Sequence, residues 1–436
     1  MLSPDPKTKS FVNRELLFKL LIPVFVVVVL LSVAEFVTHK LRPDLGWRLL
    51  ADTYLGWISE EYLSFDPMSR PDSDTLQLLF LGDSFLAGAG ISDLDQRFPL
   101  QAGAQLPRVR VQILATGGWG TDQQMLAYLA KGADWLPDFV FLCFCCNNDL
   151  SNNLSNSHGT SNMMKPYFAL TAEGTLELYD PTGQPLDLHR HVPDTATRHF
   201  HSYLLDYVRF RLSRMKEQPP PVYPEVDPRY QLFLRERERS EELYRLQDLL
   251  TWSPQDGVNH VSAYIHEPFP INTYQWDLFA ALLKQLHNET EKQGAQLVVV
   301  LIPVTYNPRN PLFIVGSSLE HEFQTPTGSF TFRAAEPRER LQEICQRQGI
   351  PLFDPSFDFR KIVEEDQLAR QCWPDLEDRH FSEVGHRVVA DLFAAYLRNN
   401  FSKFSEQFTE PDTEQLSGQV SDKDTDLVSS PAARSH

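Results

Sequence analysis

The sequence predicts an α/β fold built on a parallel sheet with helices on both faces. Short apolar runs recur along the chain, turn residues end them, and stretches with helical spacing separate them. A strand buried on both faces reads as an unbroken apolar run, whereas a half-exposed strand alternates. The 436 residues include 42% apolar and 11% aromatic side chains, a globular composition.

The elements follow in chain order. Residues 20–34 are almost uninterrupted apolar side chains, and counting from Phe18 to Val37 gives about the ~20 residues that span hydrocarbon. Lys7, Lys9, Arg14 and Lys19 precede this segment, and Lys40, Arg42 and Arg48 follow it, a slight bias toward a cytoplasmic N-terminus. Ser32-Val33-Ala34 offers the competing reading, a signal peptide cleaved near Ala34. Either reading places the rest of the chain outside the cytoplasm. The expected organisation is therefore a stub and transmembrane helix over 1–37, a connector over 38–72, a domain over 73–401 with an insertion at 151–275, and an acidic, disordered tail over 402–436.

Within the domain, residues 76–81 form an apolar run that ends in Gly-Asp-Ser, the signature of a buried strand entering a turn. Further strands are expected over 109–114, 139–146, 297–302 and 350–353, which makes five. Helical spacing is seen over 122–131, 276–292 and 384–397. The insertion is rich in Pro over 219–224 and in Arg and Glu over 235–242, where an amphipathic helix should begin. The histidines at 189, 191, 199 and 201 have no metal-site spacing and read as a solvated loop. Tyr203, Leu204, Tyr207 and Phe210 have helical spacing suited to packing on the main domain.

Composition excludes several function classes. Forty basic against 58 acidic side chains leave a formal charge of −18, and no basic cluster offers a nucleic-acid footprint. Five cysteines, three of them in one apolar run (Cys143, Cys145, Cys146), do not make a disulfide framework. They read as core residues rather than nucleophiles. Cys143 and Cys146 have metal-motif spacing but lie in a predicted strand, with no second pair and no His-Glu-x-x-His run. No metal site is expected.

Four blocks that carry chemistry fall at the C-terminal ends of predicted strands or just beyond them, where ligand sites of open α/β sheets form. In Gly82-Asp83-Ser84-Phe85-Leu86, a serine past a strand exposes its hydroxyl and backbone N–H together, although helix capping would use the same residue. Gly117-Gly118-Trp119-Gly120-Thr121 leaves N–H groups able to approach a ligand, or makes an ordinary βα turn. Asn147-Asn148-Asp149 supplies a side-chain amide donor or an Asx turn. In Asp378-Arg379-His380-Phe381-Ser382, a loop histidine with a nearby carboxylate precedes a helix that Ser382 would cap. His386 should pack within that helix.

In this order the four blocks resemble the SGNH/GDSL hydrolase superfamily, over residues 75–150 and 295–400. The resemblance implies a three-layer, flavodoxin-like α/β/α sandwich with a five-stranded parallel sheet, the strand count read above. It implies Ser84 as nucleophile, His380 as general base and Asp378 as its orienting acid. The family often has the acid three residues before the histidine, which makes Glu377 the rival. Ser84 N–H, Gly118 N–H and the Asn148 side chain would form the oxyanion hole, and no metal or organic cofactor is implied. Cys146 stands where the family usually has glycine, and Ile113 or Leu114 where a polar residue is common. The Gly-x-Ser-x-Gly elbow of α/β-hydrolases is absent, since Leu86 replaces its last glycine.

The resemblance leads to a serine esterase acting through an acyl-enzyme outside the cytoplasm. Topology favours an acyl ester such as an O-acetyl group on an envelope or exported polysaccharide, in a bacterial envelope. Two other functions stay open at this stage: an O-acyltransferase using the same residues, and a non-catalytic envelope-binding protein that keeps the fold.

Overall fold

The computed structural model of the chain describes residues 14–41, 49–66, 74–157, 163–191, 204, 226–230, 262–305, 315–325, 328–374 and 380–405. Its centre is a sheet of five strands: β1 (Leu76–Gly82), β2 (Val109–Ala115), β3 (Phe139–Phe144), β4 (Gln296–Leu301) and β5 (Leu352–Phe353). They lie in the order β2-β1-β3-β4-β5, and every pair is parallel. This is the doubly wound order of flavodoxin-like sheets, with β1 central between the strands whose trailing loops carry the glycine and asparagine blocks.

Helices α1 (Phe98–Ala104), α2 (Thr121–Ala127), α3 (Asp149–Leu154), α4 (Pro270–Lys292), α5 (Glu336–Gln348), α6 (Ser356–Glu365) and α7 (Glu383–Asn400) cover the sheet. Residues alternate between the two faces of a strand, and β3 shows the result. The rings of Phe139 and Phe141 stack 6.0 Å apart, and Phe141 meets Phe393 of α7 at 5.0 Å. Phe144 faces the other way and meets Phe279 of α4 at 4.6 Å. Phe393 also touches the rings of Phe80, Phe98 and Phe353. Truncating such a fully buried ring costs about 3–5 kcal/mol.

Helix ends follow local chemistry. Ser382 caps α7, its hydroxyl accepting the Val384 N–H at 3.1 Å, as the sequence suggests. Pro270 sits in the first turn of α4, where its missing N–H costs nothing. The helix expected over 122–131 is α2, which continues as a π turn over Tyr128–Gly132. Gly132 lies so close to Leu79 that a Cβ there would stand 2.8 Å from its side chain.

Outside the sheet, the insertion contributes a three-stranded antiparallel meander (Tyr167–Leu170, Leu176–Tyr179, Pro185–Leu186). A hairpin, Glu320–Thr325 with Gly328–Arg333, precedes α5. Residues 49–65, read as connector from sequence, form a small hairpin (Leu50–Asp52, Gly56–Ile58) and a helical turn (Glu60–Ser64). Trp57, Ile58 and Tyr62 of this segment are buried in the main core.

The apolar N-terminal segment lies within a 28-residue helix, Arg14–Leu41, with Leu21, Ile22, Phe25, Leu30 and Phe36 among its exposed side chains. Among the described residues, no helix is long and apolar enough to cross a membrane; side chains of this helix are described at Lys19 and over 21–37. His199, His201, Tyr203, Tyr207, Phe210, the segments 219–224 and 235–250, and the tail from 406 onward lie outside the described residues.

Candidate active site

Three of the four blocks meet at the C-terminal edge of the sheet, because β1, β2 and β3 are neighbours that end level with one another. Leu81 pairs with Leu114 on one side and Leu142 on the other. Ser84 follows β1 by two residues, on a turn tied by its neighbour. The Asp83 carboxylate accepts the Phe85 N–H at 3.0 Å through Oδ1 and the Asn148 side-chain amide at 2.9 Å through Oδ2. One buried carboxyl thus fixes the serine turn to the asparagine block. Burial pushes the Asp83 carboxyl up from its ordinary range, and these two hydrogen bonds and His380 oppose that rise.

The fourth block arrives from the loop before α7. His380 Nε2 lies 2.7 Å from Ser84 Oγ. The ring packs at 4.9 Å from that of Phe85. Behind it, a Cβ on Gly90 would stand 3.1 Å from the His380 Cβ and 2.9 Å from the Phe381 carbonyl. Gly90 has φ +85°, so it serves both the turn and the close approach of the histidine loop. For Nε2 to accept the serine proton, the neutral imidazole must carry its hydrogen on Nδ1. Asp378 and Glu377, the two candidates for holding that hydrogen, lie outside the described residues.

The glycine block follows β2 as a tight turn. The Trp119 N–H donates to the Thr116 carbonyl at 3.2 Å, and Gly118 between them has φ +76°. A hydrogen-bonded turn with positive φ at its third residue is type II, which requires glycine there. A Cβ on Gly117 would stand 3.9 Å from the Ser84 Cβ, so the turn borders the serine. Asn148 donates one amide hydrogen to Asp83 and retains a second. The structure therefore brings together Ser84, Gly118, Asn148 and His380, the described residues of the sequence-based assignment.

Beneath these loops is a buried polar layer that the sequence did not reveal. Asp122, at the start of α2, forms an ion pair with Lys165 of the insertion, and both side chains are 0% exposed. Burial pushes the Asp122 carboxyl up, while Lys165 pulls it back. Asp149 accepts the Cys145 N–H at 2.8 Å and the Gln124 amide at 3.4 Å. Burial and the nearby Asp83 charge raise its carboxyl well above the usual range, toward the neutral form.

The cysteines are core residues. Burial holds the Cys143 and Cys145 thiols well above the ordinary value and pushes Cys146 up to about 12. Cys146 lies 3.2 Å from the Tyr264 hydroxyl, which also donates to Asn147 Oδ1 at 2.5 Å. His386 is buried in α7, its Nδ1 accepting the Phe98 N–H at 3.3 Å. Burial, with Arg97 and His380 nearby, lowers its pKa to about 3, so it stays neutral. Among the described residues, no group of three or more His, Cys, Asp or Glu could hold a metal ion.

Comparison with protein-family models and with curated proteins gives no match. Among solved structures, the chain is similar to a lipase/acylhydrolase from Enterococcus faecalis (12% identity, TM-score 0.33, 74% of this chain and 96% of that one). It is also similar to an acetyl xylan esterase (10% identity, TM-score 0.35, 74% of this chain and 100% of that one). A third is a catalytic mutant of an acetylxylan esterase from Geobacillus stearothermophilus (12% identity, TM-score 0.33, 74% of this chain and 93% of that one). These likenesses concern the fold alone.

Proposed function

We propose that the chain is a serine ester hydrolase with Ser84 as nucleophile and His380 as general base. The observation that carries this reading is the 2.7 Å contact between His380 Nε2 and Ser84 Oγ, two residues 296 apart in sequence, at the C-terminal edge of the sheet. A non-catalytic protein has no need of that contact between a half-buried turn serine and an imidazole.

In the reaction, His380 Nε2 takes the Ser84 proton as Oγ attacks the ester carbonyl carbon. The tetrahedral oxyanion receives hydrogen bonds from the Ser84 N–H, the Gly118 N–H and the Asn148 amide. Collapse breaks the ester C–O bond, and the imidazolium returns its proton to the leaving alcohol. Water then attacks the acyl-enzyme, with His380 again as base, and releases the carboxylic acid. The role of orienting His380 through its Nδ1–H and stabilising the imidazolium is assigned to Asp378 by the sequence resemblance, with Glu377 the alternative.

From the apolar run of residues 18–37 in the sequence we also infer a membrane anchor, with the catalytic domain on the extracytoplasmic side. An O-acetyl ester on an envelope or exported polysaccharide is the substrate class that fits this location. Hydrolysis of p-nitrophenyl acetate and longer esters by the full-length chain, beside Ser84→Ala and His380→Ala, tests the reading. Turnover lost in both variants supports it. Turnover equal to the Ser84→Ala background in folded wild type overturns the hydrolase; fluorophosphonate labelling of Ser84 in that protein would instead indicate transfer to another acceptor. Asp378→Ala and Glu377→Ala, compared at one pH, separate the two acids.

A further inference from the structure

The Gly117-Gly118 peptide is free by sequence and fixed by structure. Types I and II of a β-turn differ by rotating the central peptide through roughly 150–180°. With glycine at both central positions, no Cβ opposes that rotation. In the trans peptide the Gly117 carbonyl and the Gly118 N–H point in opposite directions, so the rotation would turn the N–H away from its present side.

One side chain holds this peptide and a second holds the one after it, Gly118-Trp119. The Trp57 indole N–H donates to the Gly117 carbonyl at 2.9 Å, and the Asn152 amide donates to the Gly118 carbonyl at 3.1 Å. Trp57 is itself fixed. The Asp52 carboxylate accepts the N–H groups of Tyr54 and Leu55 at 2.8 Å each, Gly56 turns the chain at φ +81°, and Trp57 follows directly. Its carbonyl accepts the Trp119 indole N–H at 2.8 Å, while its own indole donates to Gly117, so two bonds tie this segment to the glycine turn. Ser59 adds bonds to Thr116 Oγ1 at 3.1 Å and to the Ala115 carbonyl at 3.2 Å. Trp57 is 1% exposed, so its end of the bond is shielded from water.

We infer that Trp57 and Asn152 are positioning residues: Trp57 locks the Gly117-Gly118 peptide in its type II state, Asn152 holds the Gly118-Trp119 peptide that follows, and together they aim the Gly118 N–H as an oxyanion donor. Trp57 acts through the turn and not by touching substrate. The inference rests on the proposed hydrolase reading and deepens it: a segment lying between the N-terminal helix and the sheet completes the oxyanion hole. Losing an oxyanion donor outright costs about 10²–10³ in kcat. A donor that is only partly misaimed costs less, and Trp57→Phe should lower kcat about ten-fold.

The test uses the full-length chain, with p-nitrophenyl acetate as substrate and fluorophosphonate titration to count active sites. Trp57→Phe keeps an aromatic ring and removes the N–H. The expected result is a roughly ten-fold fall in kcat per titrated site with KM within two-fold, and an equal weakening of a boronic acid that forms a tetrahedral Ser84 adduct. A destabilised but otherwise intact site would lose titratable sites and keep its kcat per site. If Trp57→Phe does not fold, Asn152→Ala carries the test, with at least a three-fold fall in kcat per site expected. Wild-type kcat per site in the folded variant overturns the inference and leaves the hydrolase standing. An inactive, unlabelled wild type overturns both.

Discussion

Replacing Lys165 by methionine should destabilise the domain strongly at neutral pH and much less in mild acid. The substitution keeps the aliphatic stem and removes the ammonium that faces Asp122, in a site where both side chains are 0% exposed. Breaking a buried pair by removing one partner costs about 3–5 kcal/mol, because the remaining charge has neither water nor counter-ion. Protonation sets a ceiling on that cost. An ordinary aspartate titrates near 3.9, so neutralising Asp122 at pH 7 costs about 1.36 × 3.1, or ~4 kcal/mol. At pH 5 the same operation costs about 1.5 kcal/mol. The deficit of Lys165→Met against wild type should therefore be about 3–4 kcal/mol at pH 7 and about 1.5 kcal/mol at pH 5, read from urea denaturation at both values. Adding Asp122→Asn should recover most of it, since the amide carbonyl still accepts the Gln123 N–H that Asp122 Oδ1 now holds at 2.8 Å. A Lys165→Met variant as stable as wild type at pH 7, or a deficit independent of pH, would refute the reasoning.

Asp149→Asn should be tolerated, and its stability relative to wild type should grow as pH rises from 4 to 8. The native carboxyl is raised, so the folded state holds a proton that the unfolded state releases above its ordinary value, and wild type loses stability across that window; urea midpoints along a pH series check this. His386→Gln should flatten acid denaturation. The native imidazole titrates at about 3 against 6.5 unfolded, so its contribution is present above pH 6.5 and lost progressively toward pH 3, and the variant's stability should fall less over that range. Removing residues 1–65 should abolish folding, whereas removing 1–48 should not. The longer deletion strips Trp57, Ile58 and Tyr62 from the core and breaks the 2.7 Å Glu61–Arg97 ion pair, and circular dichroism of the two purified chains decides it.

The sheet was legible because its central strands carry apolar runs ended by a turn residue, as in residues 78–82 and 139–147. Ser84 and His380 were legible from the order of short polar blocks after those strands. The lock on the glycine turn was not, because Trp57 lies 60 residues before its acceptor and reads as one aromatic in a polar connector. Lys165 is 43 residues from Asp122, in an insertion where no strand is expected from sequence. Nothing local marks a lysine as buried; only the partner's position does. The π turn after α2 was missed for a related reason, since its Tyr128 and Gly132 keep the helical spacing that predicts α-helix.

The buried acids and the oxyanion donors occupy one edge of the sheet, which poses an electrostatic question. Asp83, Asp122 and Asp149 are each 0% exposed and follow β1, β2 and β3 in turn. Three ionised carboxylates under the site would oppose the negative charge that ester attack creates. The structure answers each differently. Lys165 neutralises Asp122, and burial drives Asp149 toward its protonated form. Asp83 accepts two N–H groups and lies near His380, which in the proposed mechanism becomes a cation in the same step that creates the oxyanion. In the proposed mechanism the insertion does more than decorate the fold: by supplying Lys165 it removes a charge that the oxyanion donors would otherwise have to overcome. In the proposed hydrolysis, the Asp122–Lys165 pair therefore bears on the rate of acyl transfer at Ser84 as well as on stability.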